Sequence, residues 1–455
     1  MSIVSRNPST GKIIKQFESY SDEFVDGLIS NSYFSYKELK KFSINRRTKC
    51  MMAVANILNE ESEKLGKILT QEMGKTHKSA IAEIKKSALG AEHYAVTAKD
   101  YMADEIIKTN ALKSYRSYQP LGPILAVMPW NYPVWQVIRF AAPAIMAGNT
   151  VLLKHASNVT QCALYLEDIF KRAGFPDGVF QTLIISSAKV ERVLRNENVR
   201  AATLTGSEIA GSSVAAICGQ EIKPTVLELG GSDAFIVMPS ADLEKSAAVG
   251  TIARTQNNGQ SCIAAKRFIV HAEIYEAFKE RLIKNFISLK IGDPMNSETD
   301  IGPLVNPSSL KEVLDQVKDA LDCGAQLLCG CKSIEGPGCF LQPGIIEKIP
   351  MSARIYREEI FAPIAGLYKV KSMQEAIELA NDSPFGLGSS VWTADLDEQK
   401  QAINDIEAGA TFINAMTSSD PRLPFGGVKR SGYGRELAAE GLRAFCNIKT
   451  VSISE

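Results

Sequence analysis

Between Ile124 and Leu153 the chain runs through a short apolar stretch, a helical stretch and a second short apolar stretch, and few architectures accept that order. Ile124 to Met128 and Thr150 to Leu153 read as strands bounded by turn signals, and Trp135 to Met146 between them reads as a helix. A strand, a helical crossover and a second strand at this spacing form a right-handed unit, which implies a parallel sheet covered by helices. Ala201 to Leu204 and Phe235 to Met238 repeat the strand pattern, and a helix opens at Thr205-Gly206-Ser207 and runs to about Cys218. Further on, Arg267 to Val270 and Ser389 to Thr393 read as strands, and Glu273 to Phe286 and Leu310 to Cys323 as helices. The predicted fold class is α/β with two open parallel-sheet units. A chain of 455 residues exceeds what one core supports, and Gly230-Gly231 is the expected hinge. Lys113 to Gln119 and Cys446 to Ser454 alternate like exposed strands, whose open edges invite a subunit contact.

Composition narrows the function classes. Lys and Arg number 51, as do Asp and Glu, so the formal charge is zero and nothing draws the chain toward nucleic acid or anionic lipid. A small molecule is the expected partner. The first residues lack an apolar run of signal-peptide length, and longer apolar stretches are broken by Asn131, Arg139 or Pro143, so a cytoplasmic protein without a membrane span is expected. Nine scattered cysteines fit reduced thiols rather than a disulfide framework. Cys323, Cys329, Cys331 and Cys339 lack the paired spacing of zinc knuckles and have no histidine nearby, so no metal is expected.

Cys262 stands out among these thiols. It closes the run Asn257-Asn258-Gly259-Gln260-Ser261, and Glu228 precedes a Gly-Gly turn 34 residues before it. No histidine sits beside Cys262, which leaves Glu228 as its candidate base. Asn131, in Pro129-Trp130-Asn131-Tyr132-Pro133 at the carboxyl end of the first strand, is placed where open sheets bind ligands and is suited to donate to an oxyanion. Gly74-Lys75-Thr76 has the end of a phosphate-binding loop, but Leu69 stands where that loop needs glycine. Gly206 and Ser207, at a helix N-terminus after a strand, are the remaining candidates for pyrophosphate.

Together these stretches resemble the aldehyde dehydrogenase superfamily along almost the whole chain. The resemblance is carried, in order, by Asn7 to Lys12, Pro129 to Pro133, Leu153-Lys154, Thr205 to Ser207, Glu228 to Ser232, Gly259 to Cys262, Glu359 to Phe361 and Pro424 to Gly432. It implies Cys262 as nucleophile, Asn131 as oxyanion donor and Glu228 as base for thioester hydrolysis. Trp130, Lys154, Ser157, Gly206, Ser207, Glu359 and Phe361 are then expected at the cofactor. Ala362 stands where the family usually has glycine, from which a small packing change is expected. The implied domains are a cofactor-binding unit of residues 1–107 and 121–229, a catalytic unit of 230–430, and an oligomerisation element of 108–120 and 431–455 in a homodimer or homotetramer.

Three residues beyond Lys154 the family often has a glutamate that favours NAD, and here Ser157 takes its place. A carboxylate about 4 Å from a 2'-phosphate repels it by up to about 4 kcal/mol at an effective dielectric near 20. Its absence predicts NADP as preferred cofactor, with NAD also used. Arg139, eight residues after Asn131 on an apolar helix, matches an arginine that holds the distal carboxylate in succinate-semialdehyde dehydrogenases, and two helical turns put it on the face of Asn131. Trp135 and Ser419 are the expected further substrate contacts. Gln256 stands where some members have another arginine, so glutarate semialdehyde or a simple aliphatic aldehyde stays open, and a Cys-Glu hydrolase is the alternative from another class. Ala264, two residues after the nucleophile, cannot form the disulfide that some relatives use there.

Overall fold

The computed structural model describes residues 2 to 454. Strand Pro123–Met128, helix Trp135–Ala147 and strand Thr150–His155 form the anticipated crossover unit, with the two strands parallel and in register from Pro123 opposite Thr150 to Met128 opposite His155. Every residue of the helix is buried, although it contains Pro143. A proline there removes one helical hydrogen bond, and packing on all sides of an apolar helix offsets that loss.

The crossover belongs to a six-stranded sheet in the order Gly432–Tyr433, Thr225–Glu228, Ala201–Thr205, Pro123–Met128, Thr150–His155, Phe180–Thr182. A seven-stranded sheet runs Gln326–Cys329, Gly344–Glu347, Ile364–Val370, Ala265–His271, Asp233–Val237, Ser389–Trp392, Thr411–Ile413. Both are parallel except at one edge, where Gly432–Tyr433 and Gln326–Cys329 pair antiparallel. The expected open parallel sheets are thus present, each with one short antiparallel edge strand whose sequence fixes no direction. The chain passes from the first sheet to the second through Leu229 to Ser232, between strands ending at Glu228 and starting at Asp233.

The two outer segments expected to be exposed strands pair with each other. Cys446–Ile453 lies antiparallel to Lys113–Pro120 over eight residue pairs, with Glu105–Ile106 on the other edge. Among the described residues no helix is long and apolar enough to cross a membrane.

Candidate active site

Cys262, the candidate nucleophile, follows a turn that only certain residues can make. Asn257 and Asn258 take positive φ angles of 55° and 57°, and Gly259 follows at 74°, where a Cβ would meet the backbone nitrogen of Pro363 at 2.3 Å. Asparagine tolerates the left-handed region better than most residues, and glycine adopts it freely. The turn is held from several sides: Asn257 Nδ2 donates to the carbonyls of Asn131 at 2.8 Å and Gln260 at 2.9 Å, and Asn258 Nδ2 to those of Gly74 and Pro303 at 2.9 and 3.0 Å. The Asn131 amide donates to the Gln260 carbonyl at 3.0 Å and accepts from Gln136 at 3.2 Å. An amide NH2 carries two protons, so Asn131 retains one for an oxyanion.

Lys266 was not anticipated. Its buried ammonium donates to the carbonyls of Ser261 and Cys262 at 2.8 and 2.6 Å and lies 2.9 Å from Glu359. It thereby ties the nucleophile's backbone to the glutamate expected at the nicotinamide ribose. Its neighbour Arg267 caps the carbonyls of Ser232, Leu379 and Ala380, so two adjacent cations serve two different loops.

Burial pushes the Cys262 thiol up to about 12, against the pull of Arg139 and Lys266. Burial also holds the Glu228 carboxyl well above the usual carboxylate range; Arg139 opposes this and Glu436 adds to it. The Cys262 thiol therefore holds its proton at neutral pH, and the Glu228 carboxyl gives up its proton only above the usual carboxylate range.

Arg139 differs from expectation. It was expected on the face of Asn131 as a group that holds a distal carboxylate, but the helix begins at Trp135 and Asn131 lies in the turn before it, so helical spacing does not relate the two. Its Nε pairs with Glu436, and its Nη2 lies 3.8 Å from Glu228 and 3.5 Å from Thr205 Oγ1. An unpartnered charge in so apolar a helix is costly, and Glu436, about 300 residues later, supplies the partner. A guanidinium has five N–H donors, so Arg139 keeps donors for the cavity it also lines.

Two cavities meet at Cys262 and Gln136. One, of about 460 Å³, is lined by Lys86, Trp135, Arg139, Gln256 and Ser419. The other, of about 360 Å³, is lined by Trp130, Gly206, Ser207, Glu359 and Phe361, with the Trp130 and Phe361 rings edge to face at 5.8 Å. Ser207 caps the helix Glu208–Gln220 by accepting from the Ala210 N–H, and it lines this second cavity, so the helix N-terminus lies at its wall. Lys154 and Ser157 stand outside it, at the carboxyl end of Thr150–His155. Burial alone lowers the Lys154 pKa, with no carboxylate acting on it. A buried cation on which no carboxylate acts, together with a helix N-terminus at the second cavity, fits a phosphorylated dinucleotide.

A thiol at the junction of a nucleotide-sized groove and a separate substrate cavity, on two mostly parallel sheets, defines a dehydrogenase that works through a covalent enzyme intermediate. The aldehyde dehydrogenase family model matches residues 1–451, and the chain belongs to this family. The succinate-semialdehyde dehydrogenase [NADP(+)] of Mycolicibacterium paratuberculosis is 54% identical over 459 residues, covering 100% of this chain and 97% of the relative. Succinate-semialdehyde dehydrogenase [NADP(+)] 1 of Mycobacterium tuberculosis is 52% identical, with both chains covered in full. The crystal structure of the succinic semialdehyde dehydrogenase from Streptococcus pyogenes with NADP+ superposes with a TM-score of 0.97 at 38% identity, covering 100% of both chains.

Proposed function

We propose that this protein oxidises succinate semialdehyde to succinate, with NADP as preferred hydride acceptor and NAD as a poorer one. The observation that carries this reading is the meeting of the two cavities at Cys262. The names of the full-length relatives support it, and so does a Lys154 on which burial acts and no carboxylate does.

Ionised Glu228 takes the Cys262 proton and releases it to solvent, and the sulfur adds to the aldehyde carbon. The resulting oxyanion accepts from the Asn131 amide and the Cys262 backbone N–H, a contact whose loss costs about 2.7 to 4 kcal/mol. A bound nicotinamide supplies the acceptor for the hydride that leaves the same carbon, with Glu359 and Phe361 holding its ribose and ring side. Glu228, once ionised, takes a proton from water. The hydroxide adds to the thioester, the C–S bond breaks, and the carboxylic acid leaves with Cys262 restored. Trp135, Arg139 and Ser419 frame the end of the substrate away from the thiol. Residues 1–107 and 121–229 carry the cofactor and 230–430 the nucleophile. The sheet of Lys113–Pro120 and Cys446–Ile453 joins subunits into a dimer or tetramer. Nine unpaired cysteines suit the reducing cytoplasm.

Steady-state NADPH formation with succinate semialdehyde, butanal and glutarate semialdehyde, each against both cofactors, tests this reading. The expected result is the highest kcat/KM with succinate semialdehyde and NADP. A tenfold preference for NAD, or for butanal, overturns it.

A further inference from the structure

We infer that Lys86, with the hydroxyl proton of Ser419, forms the seat for the distal carboxylate of the aldehyde substrate. Lys86 lies on the helix His77–Tyr101 and lines the same cavity as Cys262. Its Nζ donates to Ser419 Oγ at 2.8 Å and stands 4.6 Å from the Trp135 ring, and among the described residues no carboxylate pairs with it. The neighbouring cations of this cavity already have a carboxylate partner: Arg139 has Glu436 at its Nε, and Lys78 has Asp300 at 3.2 Å. Among the described cations that line this cavity, Lys86 is the one without a carboxylate partner, and its charge is available to an incoming anion.

Ser419 adds a second donor by a count of its lone pairs. Its oxygen accepts from Lys86 and, at 3.0 Å, from the indole N–H of Trp135. A hydroxyl oxygen has two lone pairs and one proton. Both lone pairs are used, so the proton is what Ser419 can still offer, and it needs an acceptor. An ammonium and a hydroxyl held together as donors suit a carboxylate oxygen pair. Trp135 serves this seat indirectly, by fixing Ser419 through its N–H and lying against Lys86 through its ring. Burial lowers the Lys86 pKa to about 8, with Arg139 acting in the same direction and Glu83 and Asp420 against it, so the free lysine is mostly cationic at neutral pH.

The inference rests on the proposed substrate, and the test separates the two. Wild type, Lys86→Met and Lys86→Arg are compared with succinate semialdehyde and with butanal, which has the same carbon count without the carboxylate. Losing a charge-assisted hydrogen bond costs on the order of 10- to 100-fold in binding. Lys86→Met is expected to raise KM for succinate semialdehyde by that factor with kcat little changed, and to leave butanal turnover near wild type, which also reports an intact fold. Lys86→Arg is expected to retain most of the preference. A wild type that prefers butanal overturns the proposed substrate and this inference with it. A wild-type preference for succinate semialdehyde that survives in Lys86→Met, or falls equally for both aldehydes in Lys86→Met and Lys86→Arg, overturns the role of Lys86 alone.

Discussion

Glu228 and Glu436 share the single guanidinium of Arg139, and the readiness of Glu228 for its proposed role as general base is set by how that charge is divided. With its pKa held up by burial, Glu228 must lose a proton before it can activate water, so turnover at saturating substrates is expected to rise with pH through a midpoint above the usual carboxylate range. The two neighbours move that midpoint in opposite directions. Glu436→Gln removes a repelling carboxylate and leaves Arg139 to Glu228, which lowers the midpoint. Arg139→Met removes the attracting charge, which raises it and leaves two carboxylates buried without their partner, at a cost of about 3 to 5 kcal/mol in stability. The kcat–pH profiles of the two variants, with thermal melts alongside, check both directions. Glu228→Gln is expected to lower kcat by roughly 10²- to 10⁴-fold and to accumulate acyl-enzyme, seen by intact-protein mass spectrometry as an adduct on Cys262. A hydrolysis rate unchanged in Glu228→Gln would remove it as the base.

At the scale of elements, the crossing from the first sheet to the second is where Cys262, Glu228 and Glu359 come together. A Cβ on Gly230 would meet Glu359 Oε2 at 2.7 Å, and one on Gly231 would meet the Cys262 carbonyl at 2.6 Å and Leu387 Cβ at 3.2 Å. Gly231→Ala must therefore displace the nucleophile turn, and a shift near 1 Å at reacting atoms costs on the order of 100-fold in rate. The expected outcome is a fall in kcat of that size with cofactor affinity little changed, measured by turnover and by fluorescence titration. The crossing was legible in the sequence because Glu228 and its glycines mark it locally. The strands and helices around it were legible for the same reason: their apolar periodicity is written within each segment. Glu436 and Lys86 were not. Each acts through partners far along the chain, Glu436 on Arg139 and Lys86 on Ser419, and neither spacing nor composition signals such a pairing. The antiparallel edge strands escaped too, being only two and four residues long.

For the molecule as a whole, the two cavities separate the choice of aldehyde from the choice of cofactor, so each can be altered without the other. The cofactor side is the simpler to test. Ser157 is exposed at the carboxyl edge of the six-stranded sheet, three residues after Lys154. A carboxylate introduced there meets a 2'-phosphate in partly screened solvent, so the repulsion falls short of the buried limit. A difference of about 1.4 kcal/mol already corresponds to tenfold, and exposed charge pairs deliver effects of this order or less. Ser157→Glu is therefore expected to lower kcat/KM for NADP by on the order of tenfold, while NAD, which has two ribose hydroxyls to offer the new acceptor, holds or gains. Because the effect is a repulsion between exposed charges, it must shrink as ionic strength rises. Cofactor kinetics at low and high salt check both statements, and the ratio of succinate semialdehyde to butanal turnover should stay constant throughout. A change in that ratio would mean that the two cavities are coupled through Cys262 and Gln136, the residues they share.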